Sequence, residues 1–115
     1  MVNGGNSPAS IDMTGTRRAP RFNIVEGTEV QIYGHMATLV NLSVVGAQVC
    51  SLVALRPKQR VTLVFADGGQ SMRVQSVIAT VSVEIANGTT RYRAGVEFLD
   101  VDQSAVQRLI DSKKK

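Results

Sequence analysis

Alternation of apolar and polar residues, broken at short intervals by turn formers, constrains this chain more than any other feature. Val30 and Ile32 alternate with Glu29, Gln31 and Tyr33, and Val61, Leu63 and Phe65 with Thr62, Val64 and Ala66. Val81, Val83 and Ile85 alternate with Ser82 and Glu84, and Tyr92, Ala94, Val96 and Phe98 with Arg93, Gly95 and Glu97. A period of two sends successive side chains to opposite faces of a strand, one inward and one toward water. Met36 to Val40 and Ala47 to Val53 are apolar, β-prone runs of the same kind. Gly34-His35, Arg56-Pro57-Lys58-Gln59, Asp67-Gly68-Gly69 and Asn87-Gly88 punctuate them. Asn-Gly suits a type I′ hairpin turn, because both residues tolerate positive φ. Many short strands with closely spaced turns predict an antiparallel sheet that closes, or nearly closes, into a small barrel.

The last segment changes period. Ala105, Val106, Leu109 and Ile110 recur at helical spacing, so one face of a C-terminal helix is apolar and packs on the barrel. Asp100 or Asp102 caps its N-terminus, and Lys113, Lys114 and Lys115 lie where the helix dipole favours cations. The expected fold is all-β with a C-terminal α-helix: a small antiparallel six-stranded β-barrel under one helix.

The first residues behave differently. Residues 1–16 carry Gly, Asn, Ser and Thr without periodicity, and read as a flexible N-terminal arm before a domain spanning 17–115. They contain no apolar h-region, and nothing in the chain approaches the roughly 20 apolar residues of a membrane span. A cytoplasmic protein without membrane insertion is therefore expected. With 43% hydrophobic residues, 115 residues are enough for one core without disulfides. The single cysteine, Cys50, forms no internal disulfide and rules out a multi-cysteine metal site. A net charge of +4 favours an anionic partner without identifying one.

Two short segments stand out against this framework. Arg17-Arg18-Ala19-Pro20-Arg21 packs three guanidinium groups into five residues at the end of the arm. Pro20 blocks a regular helix and pushes Ala19 toward an extended conformation. In an extended segment Arg17 and Arg21 point the same way, and a wrapped chain brings all three around one ligand. A guanidinium fork suits phosphate and the O6/N7 edge of guanine, and its flat face stacks on a base. Asn41-Leu42-Ser43-Val44-Val45-Gly46 places an amide, a hydroxyl and a glycine between two apolar strands. Taken alone, the arginines are most simply a solvated run, and Asn41 and Ser43 a strand-end turn bonding its own backbone. Gly46 supplies positive φ or lets a ligand approach the backbone closely.

Together, in this order, on a small barrel with a terminal helix, Arg-x-x-x-Arg and Asn-x-Ser-x-x-Gly resemble the signature of the PilZ domain family. The resemblance runs from about residue 16 to 112 and includes the Gly95-Val96-Glu97-Phe98 strand before the helix. It implies a receptor for the bacterial second messenger cyclic di-GMP. Arg17 and Arg21 match the paired arginines that contact guanine edges and phosphates and stack on bases, and Arg18 matches the arginine often beside them. Asn41 and Ser43 match the polar pair that meets a guanine from the barrel surface, and Gly46 matches the motif glycine. Position 41 is Asn where Asp is commoner, which weakens the acceptor. Thr16 stands where a basic residue accompanies a stacked ligand dimer, so one ligand per domain is implied.

The family resemblance further implies an adaptor that changes conformation and regulates an unidentified downstream protein in motility, exopolysaccharide or virulence. The alternative is a PilZ-fold protein–protein interaction module independent of nucleotide. A single-stranded nucleic-acid binder would offer aromatic platforms. With three Phe, two Tyr and no Trp, most of them core-like, no DNA or RNA partner is expected. Nor does any residue set form a catalytic or metal-binding constellation. His35 lacks a second ligand at metal spacing, and nothing beside Cys50 marks an activating base. The protein is expected not to be an enzyme.

Overall fold

The computed structural model describes residues 19–67 and 69–115, in which seven strands precede one helix. They are β1 (Phe22–Asn23), β2 (Glu29–Ile32), β3 (His35–Leu42), β4 (Gly46–Ser51), β5 (Arg60–Asp67), β6 (Gln70–Ala86), β7 (Thr89–Phe98) and α1 (Gln103–Lys113). All pairings are antiparallel. The sheet runs β3-β2-β5-β6-β7-β4, and β4 pairs back onto β3 to close a six-stranded barrel. β1 adds a short extra pairing on β3, through Phe22 with Leu42 and Asn23 with Asn41. The segment Ala19 to Arg21 therefore leads through β1 directly onto the strand that carries Asn41.

Local sequence explains the elements. Tyr33-Gly34 and Asn87-Gly88 form tight hairpin turns with positive φ at both residues, 54° and 77° in the first, 53° and 76° in the second. The inward set of most strands matches the alternation: Val30, Ile32, Leu39, Val49, Val61, Leu63, Phe65, Val74, Ala94 and Val96 are buried, whereas Val83 and Ile85 of β6 are 58% and 74% exposed. Phe65 meets Phe98 edge-on, with ring centroids 6.3 Å apart.

Two bulges re-aim strands. One lies in β3 between Leu39 and Asn41, the other in β6 between Ile78 and Thr80. The second lets β6 run through 17 residues as one strand. An extra residue increases local twist and bends the strand, which allows one strand to serve two parts of a barrel.

Helix α1 starts at Asp102, whose Oδ1 accepts from the backbone N–H of Ser104 (3.0 Å) and Ala105 (3.3 Å). Of the two candidate caps, Asp102 fills the role. Val106, Leu109 and Ile110 are fully buried against the barrel, a contribution of about 1.5–3 kcal/mol per side chain. The lysine tail differs from a free helix end. Val25 N–H donates to Lys113 O (2.9 Å), and Lys115 N–H to Asn23 O (3.0 Å). The Lys114 ammonium sits 5.4 Å from the Phe22 ring centroid. The end of the helix is thus laced to the segment that follows Arg21. No helix among the described residues is long and apolar enough to cross a membrane.

Candidate ligand-binding site

The outer face of β3, β4 and β7 gathers the motif residues that the structure describes. Arg21, exposed just before β1, donates from Nη1 to Asn41 Oδ1 at 3.0 Å. Asn41 in turn donates from Nδ2 to Gln48 Oε1 at 3.0 Å. The arginine motif and the Asn-x-Ser-x-x-Gly motif, 20 residues apart, therefore meet through a side-chain chain of Arg21, Asn41 and Gln48. Arg17 and Arg18 lie outside the described residues.

This chain leaves bonding capacity. A guanidinium has five donors in a rigid fork, of which Arg21 directs Nη1 to Asn41. An amide oxygen has two lone pairs, so Asn41 Oδ1 retains one for an incoming N–H. Asn41 lies in β3 itself, one residue beyond the bulge, and not in the turn that follows. Its neutral amide bonds side chains on either side, whereas the sequence pattern alone also allowed it to bond its own backbone.

Ser43 and Gly46 do different work. The Ser43 side chain is buried, 1% exposed. Its Oγ accepts from the N–H of Val45 (3.2 Å) and Gly46 (3.1 Å) and donates to Gly46 O (3.3 Å). Ser43 N–H also donates to Gly46 O at 2.8 Å. The hydroxyl is thereby spent inside the β3–β4 turn and points into the protein, where the family resemblance places it toward a ligand. Gly46 is needed for packing: a Cβ there would collide with the carbonyl oxygen of Val96 on β7. Its φ is not positive, so close strand approach, and not a left-handed turn, requires the glycine. Both residues fix the turn from which Asn41 and Gln48 project.

A groove of about 560 Å³ runs along the same outer face, lined among others by Thr38, Val40, Cys50, Arg91, Arg93 and Lys115. Cross-strand register assembles it: Thr38 lies opposite Cys50, and Cys50 opposite Arg93. Arg93 Nε donates to Glu84 Oε2 at 3.2 Å, an exposed pair that holds the guanidinium on this face. Three cations, Arg91, Arg93 and Lys115, face one carboxylate, Glu26, around the groove. Cys50 is partly buried here.

Sequence reasoning missed Gln48, Arg91, Arg93 and Lys115. Periodicity does place Gln48 and Arg93 on the outward face of their strands. What it lacks is the register that sets β4 between β3 and β7 and so brings those faces together.

The chain belongs to the PilZ domain family, whose model matches residues 16–112. No curated protein matches it in sequence. Solved structures share the fold. The PilZ domain of YcgR from Escherichia coli, solved with c-di-GMP, superposes with a TM-score of 0.68 at 18% identity, covering 85% of this chain and 91% of that one. MrkH from K. pneumonia, solved as its c-di-GMP complex, gives a TM-score of 0.65 at 16% identity, covering 84% of this chain and 52% of MrkH. The apo state of MrkH gives 0.63 at 16% identity, covering 84% and 50%. The chain spans about half the length of MrkH.

Proposed function

We propose that this domain is a receptor for cyclic di-GMP, with Arg17, Arg18, Arg21, Asn41, Ser43 and Gly46 as its motif residues. The observation that carries the reading is the 3.0 Å contact between Arg21 and Asn41. It joins two motifs that are distant in sequence, at the barrel surface, in a chain of the PilZ family. PilZ domains of the same fold have been solved with this ligand.

The chemistry suits the ligand. A cyclic dinucleotide presents two phosphates and two guanines. Arg21 offers its remaining N–H groups to a phosphate or to the O6/N7 edge, as charge-assisted bonds of about 1.5–3 kcal/mol each. Asn41 Oδ1 accepts from a guanine N–H. Arg91 and Arg93 add positive potential along the groove. Ser43 and Gly46 act through the turn: they hold Asn41 and Gln48 in place. Arg17 and Arg18, of the same motif, would add further guanidinium donors for the phosphates and guanines. Thr16 favours one ligand molecule per domain.

The output is a regulatory interaction with a downstream protein. The route runs from Arg21 to Phe22, over which Lys114 lies, and on to the end of α1 through the bonds from Val25 to Lys113 and from Lys115 to Asn23. Ligand capture by Arg21 thereby acts on the seat of the helix, a segment-ordering switch in kind.

Calorimetric titration with cyclic di-GMP, with GTP as comparator, tests the reading. Saturable binding at one ligand per domain, not reproduced by GTP and weakened at least about tenfold by Arg21→Ala, is expected. No heat and unchanged NMR shifts at Arg21, Asn41 and Gln48 at high ligand concentration would refute it and leave a nucleotide-independent interaction module.

A further inference from the structure

The motif residues sit on β3 and β4, beside β7. The other three strands of the barrel, β2, β5 and β6, form the opposite wall, and their outer face carries a groove of its own, of about 500 Å³. Register assembles it. Thr62 on β5 lies opposite Gln75 on β6, Val64 opposite Arg73, and Arg60 opposite Val77. Arg60 and Arg73 therefore stand on adjacent strands at the two ends of the Thr62–Gln75 row, with ~14 Å between their Cα atoms. Both side chains line the groove, so they approach its centre from opposite ends. Tyr33, 59% exposed in the turn after β2, lines a third side.

The lining is rich in donors, and no carboxylate of the described residues belongs to it. Thr62 Oγ1 donates to Gln75 Oε1 at 3.2 Å. That bond engages the amide oxygen of Gln75 and leaves the two N–H groups of Nε2 for a ligand. The ion pairs among the described residues join Arg93 to Glu84 and Lys114 to Asp111, and neither uses Arg60 or Arg73. Two carboxylates neighbour these rows without lining the groove: Glu97 faces Val77 from β7, and Glu29 precedes Gln31 by two residues on β2. Two cations that share one groove without a counter-charge repel each other and focus positive potential on the space between them. An anion seated there removes that repulsion.

We propose that this groove binds a terminal phosphate group, seated over the Thr62–Gln75 pair and held from its two ends by Arg60 and Arg73. The Gln75 amide and the Tyr33 hydroxyl complete the donor set. A phosphate monoester carries close to two negative charges and three free oxygens, which suits two guanidinium forks and two neutral donors. The phosphates of cyclic di-GMP are diesters with one charge each, so the groove takes a different ligand. A soluble phosphate ester and the headgroup of an acidic lipid present the same terminal group, and both fit this chemistry. The site goes beyond the receptor reading and does not depend on it, because none of its residues belongs to either motif.

NMR titration of the full chain with inorganic phosphate, at about pH 7.5 where it is mostly a dianion, tests the proposal against chloride at matched ionic strength. Saturable shifts at Tyr33, Thr62 and Gln75 are expected, with a dissociation constant of about 1 mM. Arg60→Ala and Arg73→Ala should each weaken this binding at least about fivefold, with an unchanged circular dichroism spectrum. Arg21→Ala should leave it unchanged, which separates this groove from the motif site whatever the nucleotide titration shows. Co-sedimentation with vesicles then names the source. Phosphatidylcholine vesicles containing phosphatidic acid retain the wild-type chain, and not the Arg60→Ala or Arg73→Ala chain, if the group belongs to a lipid. Phosphate binding without that retention assigns a soluble ester. Shifts at Tyr33, Thr62 and Gln75 that rise without saturation, that chloride reproduces, or that survive both arginine substitutions overturn the proposal.

Discussion

Gly46→Ala separates a glycine that packs strands from one that merely admits a ligand. The added Cβ would collide with the Val96 carbonyl oxygen and lie 3.5 Å from its carbon and 3.7 Å from Glu97 Cα. All three neighbours are backbone, so no side-chain rotation relieves the clash, and β4 must move off β7. That movement strains the 2.9 Å bond from Phe98 N–H to Val45 O and the 2.8 Å bond from Ser43 N–H to Gly46 O. Overpacking costs about 1–3 kcal/mol, and a rigid neighbour places this site at the upper end. A loss of about 3 kcal/mol lowers Tm by about 10 °C in a domain of this size. Thermal denaturation followed by circular dichroism, without nucleotide, measures it. A Tm within about 2 °C of wild type, combined with weakened nucleotide binding, would refute the packing argument and return Gly46 to direct ligand contact.

Ser43→Ala is expected to cost about 1–3 kcal/mol in urea denaturation, because it leaves the Val45 and Gly46 amides without their acceptor. Asp102→Ala removes the cap of α1 and is expected to cost about 1 kcal/mol in the same assay, with no change in nucleotide affinity. Gln48→Ala should leave Tm nearly unchanged and weaken nucleotide binding several-fold in calorimetry, about 1 kcal/mol, because Asn41 loses the 3.0 Å bond that orients its amide.

The sequence shows strand faces well because burial on one side imposes alternation residue by residue. Val30, Ile32, Leu63, Phe65, Ala94 and Val96 turn inward as their spacing predicts. Asn87-Gly88 was legible for a similar reason, since its backbone demands φ values few other residues tolerate. Closure was legible only as a class. That β4 pairs with β7 as well as with its hairpin neighbour β3 depends on a contact between distant segments, and no local pattern encodes it. The bulge between Ile78 and Thr80 shifts the phase of β6 midway, so no single alternation runs through the strand. The lacing of Lys113–Lys115 to Asn23–Val25 involves backbone groups, which leave no mark on side-chain chemistry. At the site, the motifs named Arg21 and Asn41, but Gln48 and Arg93 join by register alone.

Asn41→Asp tests the electrostatic logic of the site most directly. One carboxylate oxygen replaces Oδ1 and keeps the Arg21 bond, now charge-assisted. The other replaces Nδ2 and faces Gln48 Oε1, 3.0 Å away, where two acceptors would repel. The Gln48 amide relieves this by a half-turn about its last side-chain bond, which presents Nε2 instead. The substitution should therefore leave the fold intact and strengthen the acceptor offered to guanine. A gain of about 1 kcal/mol, or about fivefold in affinity, is expected in calorimetry. Adding Gln48→Glu removes the relief: two carboxylates would face each other where Asn41 and Gln48 now bond. The double variant should lose the gain and bind more weakly than wild type. If Asn41→Asp alone weakens binding tenfold or more while Tm holds, Asn41 is not the guanine acceptor, and its amide N–H rather than its oxygen faces the ligand.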